Sequence, residues 1–269
     1  MARVVVSAAF DQLGSADCRF LQEAASLGEV HVELWSDEAA RALTGREPTF
    51  PQEERLYFLQ ALRYTTSVSL SAATIDPHAV PLLGDVKPDV WVVNDRQATP
   101  GQRQACATRD VAYRTLIGAD LAGFPEPPLP PSTRKKVIVT GCYDYFHTGH
   151  VRFFEEVSEL GDLFVVVGND ENIRLLKGPG HPQFPAVERR YMAGSIRCVY
   201  QALVATGMGW LDAEPEIGII RPDMYAVNED GDKPAKRDYC REHGIDYVVL
   251  QRLPKPGLRR RSSTELRGF

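Results

Sequence analysis

Two histidines three residues apart, His147 and His150, bracket Gly149 in the stretch Thr140-Gly-Cys-Tyr-Asp-Tyr-Phe-His-Thr-Gly-His150. A β-branched run, Val137-Ile138-Val139, precedes the stretch, and Val151-Arg-Phe-Phe-Glu-Glu-Val-Ser-Glu-Leu160 follows it with the apolar spacing of a helix. The histidines therefore fall where a strand hands over to a helix. At such a turn the free backbone N–H groups and the positive end of the helix dipole point at one spot, the usual phosphate-holding place of an α/β protein. Gly149 leaves room for a bulky anion to approach the backbone. The bland readings of the same residues are two helix-capping histidines, or a zinc pair lacking a third ligand. Cys142 as a nucleophile needs a base beyond the two histidines.

The elements that must position this turn can be read along the chain. With 269 residues it can build one large α/β domain or two of ordinary size, and its 43% hydrophobic and 25% charged content is that of a soluble globular protein. A formal charge of −5 gives no overall basic field, so no nucleic-acid partner is expected. Val4-Val5-Val6 is too short for a signal-peptide core and reads as a buried strand, and no apolar run reaches the length of a membrane span. The five cysteines are scattered and form no C-x-x-C pair, which fits a reducing cytoplasm. Phe-Pro-Glu-Pro-Pro-Leu-Pro-Pro at 124–131 is hostile to helix and strand. It marks an extended linker over 121–135 between domains 1–120 and 136–269.

The two domains read as copies. Val4-Val-Val-Ser-Ala-Ala-Phe-Asp11 lies 133 positions before Val137-Ile-Val-Thr-Gly-Cys-Tyr-Asp144, and the register holds at Gly28 with Gly161 and Asp37-Glu38 with Asp170-Glu171. After one inserted residue, Phe50-Pro51 matches Phe184-Pro185, Glu54-Arg55 matches Glu188-Arg189, and Lys87-Pro-Asp-Val-Trp-Val-Val-Asn94 matches Arg221-Pro-Asp-Met-Tyr-Ala-Val-Asn228. In the second copy the pattern predicts strands near 137–141, 163–168, 201–205, 224–228 and 246–250. Helices are expected over 149–160, 185–197, 213–220 and 234–243. Apolar strands alternating with amphipathic helices imply a parallel sheet covered on both faces, with ligands at the carboxyl ends of its strands. The copies differ at the turn: Gly14, Ala16 and Asp17 stand where the second copy has His147, Gly149 and His150, and Thr44 stands for Lys177. The first copy keeps what builds a fold and lacks what would touch phosphate.

The ordered series of His147-x-Gly149-His150, Asp170-Glu171, Lys177-Gly178 and Glu188-Arg189 resembles the cytidylyltransferase family of nucleotidyltransferases, whose H-x-G-H follows the first strand of a Rossmann-like sheet. The tandem arrangement is similar to that of ethanolamine-phosphate cytidylyltransferases. The resemblance implies two tandem Rossmann-like domains, the first a degenerate, non-catalytic scaffold and the second catalytic, paired as a pseudo-dimer within one chain that is free to oligomerise further. It implies transfer of a nucleoside monophosphate from CTP to a phosphorylated alcohol, with Mg²⁺ bridging the phosphates and pyrophosphate released. The alternatives are an adenylyltransferase using ATP on a sugar phosphate or cofactor precursor and, in another class, a non-catalytic nucleotide sensor.

By the same resemblance His147, His150 and Lys177, the last in a glycine-flanked loop, are the catalytic candidates. Gly141, Cys142, Tyr143, Gly149 and Asp230 line the nucleotide. Asp144 and Arg189 persist in the first copy as Asp11 and Arg55, so they support the site, Arg189 as a helix-surface or inter-domain ion pair if not in catalysis. The family's Arg-Thr-x-Gly-Ile-Ser-Thr-Thr string is echoed by Ser262, Ser263 and Thr264, with Gly257 where the leading arginine belongs and Arg260 as its expected stand-in.

Overall fold

The computed structural model describes residues 1–82, 84, 87–263 and 265–268 of the chain. Thr264 lies outside the described residues. The chain divides into two compact units, Met1–Gly123 and Phe124–Phe269.

The first unit runs β1 (Arg3–Ala8), α1 (Ser15–Ala25), β2 (Glu29–Leu34), α2 (Asp37–Thr44), α3 (Gln52–Ala61), β3 (Ser67–Leu70), β4 (Val90–Asn94), α4 (Pro100–Thr108) and β5 (Ala112–Leu116). Its sheet is ordered β3-β2-β1-β4-β5, with parallel pairing throughout. The second unit runs β6 (Lys136–Gly141), α5 (Thr148–Ser158), β7 (Asp162–Val167), α6 (Asp170–Lys177), α7 (Ala186–Gly194), β8 (Val199–Val204), α8 (Glu214–Ile220), β9 (Met224–Asn228), α9 (Pro234–Glu242) and β10 (Asp246–Leu250). Its parallel sheet is ordered β10-β9-β6-β7-β8, which is the same order read from the other end. This is the α/β, Rossmann-like architecture expected from the alternating pattern.

The central strand β6 owes its place to composition. Val137, Ile138 and Val139 are fully buried, as a strand covered on both faces by crossover helices must be. On one face Ile138, Phe164, Val166, Tyr225 and Val227 pack with Ile217 and Ile220 of α8 and Cys240 of α9. The strand order reverses between β6 and β9, so the crevice for ligands opens at their carboxyl ends, where β6 runs into the histidine turn.

Two features depart from the sequence-based expectation. Residues 170–177 form a helix, α6, absent from the expected helices, and Lys177 ends it rather than lying in a loop. Asn169 caps it by accepting from the Asn172 N–H at 2.8 Å, and Asp170 and Glu171 occupy the first turn, where acidic side chains favour the helix dipole. The eight residues are too few to raise a clear period above the flanking polar ones. The proline-rich stretch, expected as a spacer, instead begins the second unit and lies along it. The Arg190 guanidinium donates to the Glu126 carboxylate at 2.8 Å and to the Phe124 carbonyl at 2.9 Å, and the Phe124 and Tyr191 rings sit 5.1 Å apart.

Candidate active site

The turn is built around His147, which caps α5 in an extended conformation. Its Nδ1 accepts the Gly149 N–H at 3.0 Å, and the His147 N–H in turn donates to His150 Nδ1 at 3.4 Å. A backbone N–H can only donate, so in both rings Nδ1 is the bare nitrogen and the proton sits on Nε2. The rings stack with centroids 4.0 Å apart. The His147 ring is 3% exposed, and burial, followed by the charges of Arg252 and Arg261, pushes its pKa down to about 3. His150 is lowered as well, by burial and then by His147, Arg252 and Lys177. Both imidazoles are therefore neutral near pH 7. His147 Nε2 is buried and has no hydrogen-bond partner. Leaving a buried donor unpaired costs about 1–3 kcal/mol, which a phosphate oxygen placed there would offset.

The glycine between the histidines is sterically required. A Cβ at Gly149 would fall 2.8 Å from His147 Cε1 and 2.9 Å from its Nδ1. The first unit shows what remains without the rings. There Gly14 caps α1, and Asp17 takes the role of His150, accepting the Gly14 N–H at 2.9 Å. The capping geometry is retained, and the imidazole donors are absent.

The supporting residues are a frame common to both units. Arg189 is 1% exposed; it donates to the carbonyls of Phe184 at 2.8 Å, Cys142 at 2.6 Å and Gly168 at 2.8 Å, and to the Asp170 carboxylate at 2.7 Å. Arg55 does the same with Phe50, Ala9, Trp35 and Asp37 at 2.9, 2.5, 3.0 and 2.6 Å. Arg189 is thus neither a surface nor an inter-domain ion pair; it is a buried clamp joining the ends of β6 and β7 to the segment before α7. Asp144 accepts the N–H groups of Gln183 (2.8 and 3.0 Å) and Phe184 (3.0 Å), as Asp11 accepts that of Phe50 at 3.0 Å.

The other sequence-predicted residues distribute around the turn. Lys177 is the last residue of α6 rather than a loop residue, and its positive charge, with that of Arg189, acts on the Cys142 thiol to lower its pKa. Burial nevertheless raises that thiol, so Cys142 is no ready thiolate. Gly141 ends β6 and accepts the Gly168 N–H at 3.0 Å. The Tyr143 ring is buried, edge-on to His150 at 5.2 Å and to Phe154 at 5.3 Å, so it backs the histidine. Asp230 is engaged by Arg252 in an ion pair.

The C-terminal segment comes back onto the turn. The Arg261 carbonyl accepts from Arg252 Nη2 at 3.2 Å and lies 3.6 Å from the point a Gly149 Cβ would occupy. Ser263 Oγ donates to the Tyr145 carbonyl at 3.3 Å, while Ser262 exchanges hydrogen bonds with Glu265 at 3.2 and 3.3 Å, capping a short 3₁₀ turn (Glu265–Gly268). A shallow cleft lies beside Gly149, bordered by Phe153, Glu156, Asn228, Arg252, Leu253 and Arg260. Sequence reasoning passed over Arg252. Two residues past the end of β10, it is joined to both Asp230 and the Arg261 carbonyl, while Arg260 is exposed at the cleft edge. The signal was position alone, the first cation after the fifth strand. Among the described residues no three His, Cys, Asp or Glu side chains gather as metal ligands.

The turn, clamp and cleft lie within the stretch that known proteins share with this chain. The cytidylyltransferase-like family profile matches residues 138–261. FAD synthase of Thermococcus kodakarensis is 36% identical over 126 residues, 45% of this chain and 82% of that protein. FAD synthase of Ferroglobus placidus is 34% identical over 120 residues, 44% of this chain and 75% of that protein. The bifunctional protein HldE of a Nitratiruptor species is 32% identical over 120 residues, 42% of this chain but 25% of that longer protein. A neutral imidazole pair set for phosphate at the switch point of a parallel sheet, together with these likenesses, places the chain in the cytidylyltransferase-like family of nucleotidyltransferases.

Proposed function

We propose that the second unit transfers a nucleoside monophosphate from a nucleoside triphosphate to a phosphorylated acceptor. An acceptor oxygen attacks the α-phosphorus, the bond from that phosphorus to the bridging oxygen of the β-phosphate breaks, and pyrophosphate leaves with the electron pair. Such in-line transfer needs positioning and charge stabilisation rather than covalent help. The observation that carries the reading is the pair of stacked imidazoles whose Nδ1 atoms are both occupied by backbone N–H groups, leaving only Nε2–H to donate. These donors face the α- and β-phosphates, Lys177 neutralises triphosphate or acceptor phosphate, and Gly141, Cys142 and Gly149 let the backbone approach. Arg252, Arg260, Ser262 and Ser263 complete the anion pocket.

The side chains of the turn and the C-terminal segment are donors and cations, suited to phosphate oxygens rather than to a metal. Mg²⁺ would accordingly arrive with the triphosphate, Asp230 being the nearest carboxylate tied to the cleft through Arg252, and it would supply neutralisation of the developing negative charge. The sequence reading favours CTP and a CDP-alcohol product. The two relatives named FAD synthase make a product containing adenine, which supports ATP as donor. The first unit acts as a scaffold derived from the same ancestor, since it retains the arginine clamp and lacks the histidines. A cytoplasmic location rests on composition, and no described helix is long and apolar enough to cross a membrane.

Pyrophosphate release tests the proposal, using CTP, ATP, UTP and GTP against phosphoethanolamine, glycerol 3-phosphate, ribose 5-phosphate and flavin mononucleotide. Turnover with one triphosphate that His147→Ala abolishes is the expected result. Turnover indifferent to His147→Ala rejects the assignment. Nucleotide binding without turnover on any acceptor replaces it with the sensor reading.

A further inference from the structure

The second unit holds a partly buried cation that the phosphate site does not use. Lys236, third residue of α9, carries its ammonium over the Tyr225 ring, 5.6 Å from the centroid. Among the described residues it makes no ion pair and one hydrogen bond, to the Gly231 carbonyl at 3.4 Å. Burial lowers its pKa, and the Asp212 carboxylate raises it in part. Asp212, just ahead of α8, is partly buried as well; its Oδ2 accepts from Asn172 Nδ2 at 2.9 Å and lies 3.1 Å from the point a Gly168 Cβ would occupy, at the end of β7. Between these two groups the Tyr225 hydroxyl reaches the carboxyl end of β6 and shares a 2.5 Å hydrogen bond with Thr140 Oγ1. That pair has two protons and uses one between its oxygens, so the other is left to donate. The strands concerned are neighbours, in the order β9-β6-β7.

The position of this set relative to the cleft follows from the topology. Helix α5 joins β6 to β7, and α8 joins β8 back to β9, so they cross the sheet in opposite directions and right-handed connections put them on opposite faces. The cleft beside Gly149 is lined by Phe153 and Glu156 of α5. Tyr225 packs with Ile217 of α8 and Cys240 of α9, so its hydroxyl, Lys236 and Asp212 belong to the other face. The histidine turn stands between the two. In-line displacement at phosphorus brings the entering oxygen in from the side opposite the leaving group.

The first unit fills the same places differently. Gln102, third residue of α4, has its amide taken up by the Thr99 and Pro77 backbone and the Tyr113 hydroxyl. Ser7, which matches Thr140, accepts from the Trp35 indole at 2.8 Å and donates to Glu33 at 2.7 Å. A sheet of this kind therefore folds without a lysine or a spare hydroxyl proton there.

We propose that Lys236 and Asp212, with the Thr140–Tyr225 hydroxyl pair, select the acceptor, taking a phosphorylated compound with a neutral, hydroxyl-rich body and rejecting an amino-alcohol phosphate. The inference rests on the nucleotidyl-transfer reading and narrows its acceptor to the sugar or polyol phosphates. A hydroxyl group donates to Asp212 and accepts from Lys236 or from the hydroxyl pair, whereas an ammonium group is repelled by Lys236 and has no lone pair to accept with.

Steady-state pyrophosphate release by the full chain, with the triphosphate it turns over, provides the test. kcat/KM for ribose 5-phosphate should exceed that for phosphoethanolamine by about 10²-fold, because the ammonium compound leaves the polar groups of the site unpaired. Lys236→Met and Asp212→Asn should each raise the KM for ribose 5-phosphate about tenfold while the KM of the triphosphate stays unchanged, and Lys236→Met should narrow the preference over phosphoethanolamine. Lys236→Gln, which installs the residue of the first unit, stands in should Lys236→Met fail to fold. A merely structural role would lower the thermal midpoint and weaken every acceptor and the triphosphate alike. Phosphoethanolamine serving as well as ribose 5-phosphate, or variants that leave the preference unchanged, overturns the selection. Failure of every acceptor instead overturns the transfer reading on which it rests.

Discussion

Neutral imidazoles give the site a donor that does not depend on protonation. His147 titrates at about 3, so between pH 5 and 8 it does not change charge, and the acid limb of any rate profile in that range should be unaffected by the pair. The same shift has a stability consequence. The folded-state pKa lies below the 6.5 of an ordinary histidine, so on acidification the unfolded chain takes the proton first. This contribution is complete above pH 6.5 and is lost as pH falls toward 3. Urea unfolding at pH 7 and pH 5 should show wild type losing more stability than His147→Asn. For chemistry, His147→Ala should lower kcat by about 10²–10³-fold, the range for removing one preorganised donor, with the thermal midpoint little changed. The histidines were legible because their types are rare and their spacing is tied to a helix start. Arg252 was not, since a lone arginine carries no pattern until the chain folds Asp230 and Arg261 against it.

The elements around the site divide into those that hold it and those that carry its chemistry. Gly149→Ala places a methyl against the His147 ring, so it should lower turnover at least as far as His147→Ala does while α5 stays formed, as a circular dichroism spectrum would show. Arg189 lies at the other extreme. Its guanidinium is surrounded by three carbonyls and a carboxylate, and Lys cannot reach all four, so Arg189→Lys should destabilise the second unit by about 3–5 kcal/mol in chemical denaturation. Arg55→Lys should cost the first unit a similar amount, with no effect on catalysis. The strands were readable from their continuous apolar runs, and the order of elements followed from the alternation. Helix α6 was not readable, because its apolar residues Leu175 and Leu176 face solvent and break the period by which buried helices announce themselves.

At the scale of the molecule, the two sheets share one strand order, and their elements are 133 residues apart, then 134 after the inserted residue. Helices α1 and α5 begin at Ser15 and Thr148, α2 and α6 at Asp37 and Asp170, and β4 and β9 end at Asn94 and Asn228. The second unit expressed alone from Phe124 should fold and retain the transferase activity of the full chain, and the first unit alone should have none. A chain starting instead at Lys136 loses the Phe124–Tyr191 ring contact and the bonds of Arg190 to Phe124 and Glu126. It should be about 1–3 kcal/mol less stable, read as a lower denaturant midpoint. Proline-rich composition marks a break between elements, but composition does not reveal which side such a segment packs against. The arginine clamp separates folding from chemistry. Because Arg189 and Asp144 secure the backbone without touching the histidines, substitutions that erase the chemistry leave the frame standing. Loss of activity at the histidines would then leave folding almost unchanged, so a stability screen alone would not detect it.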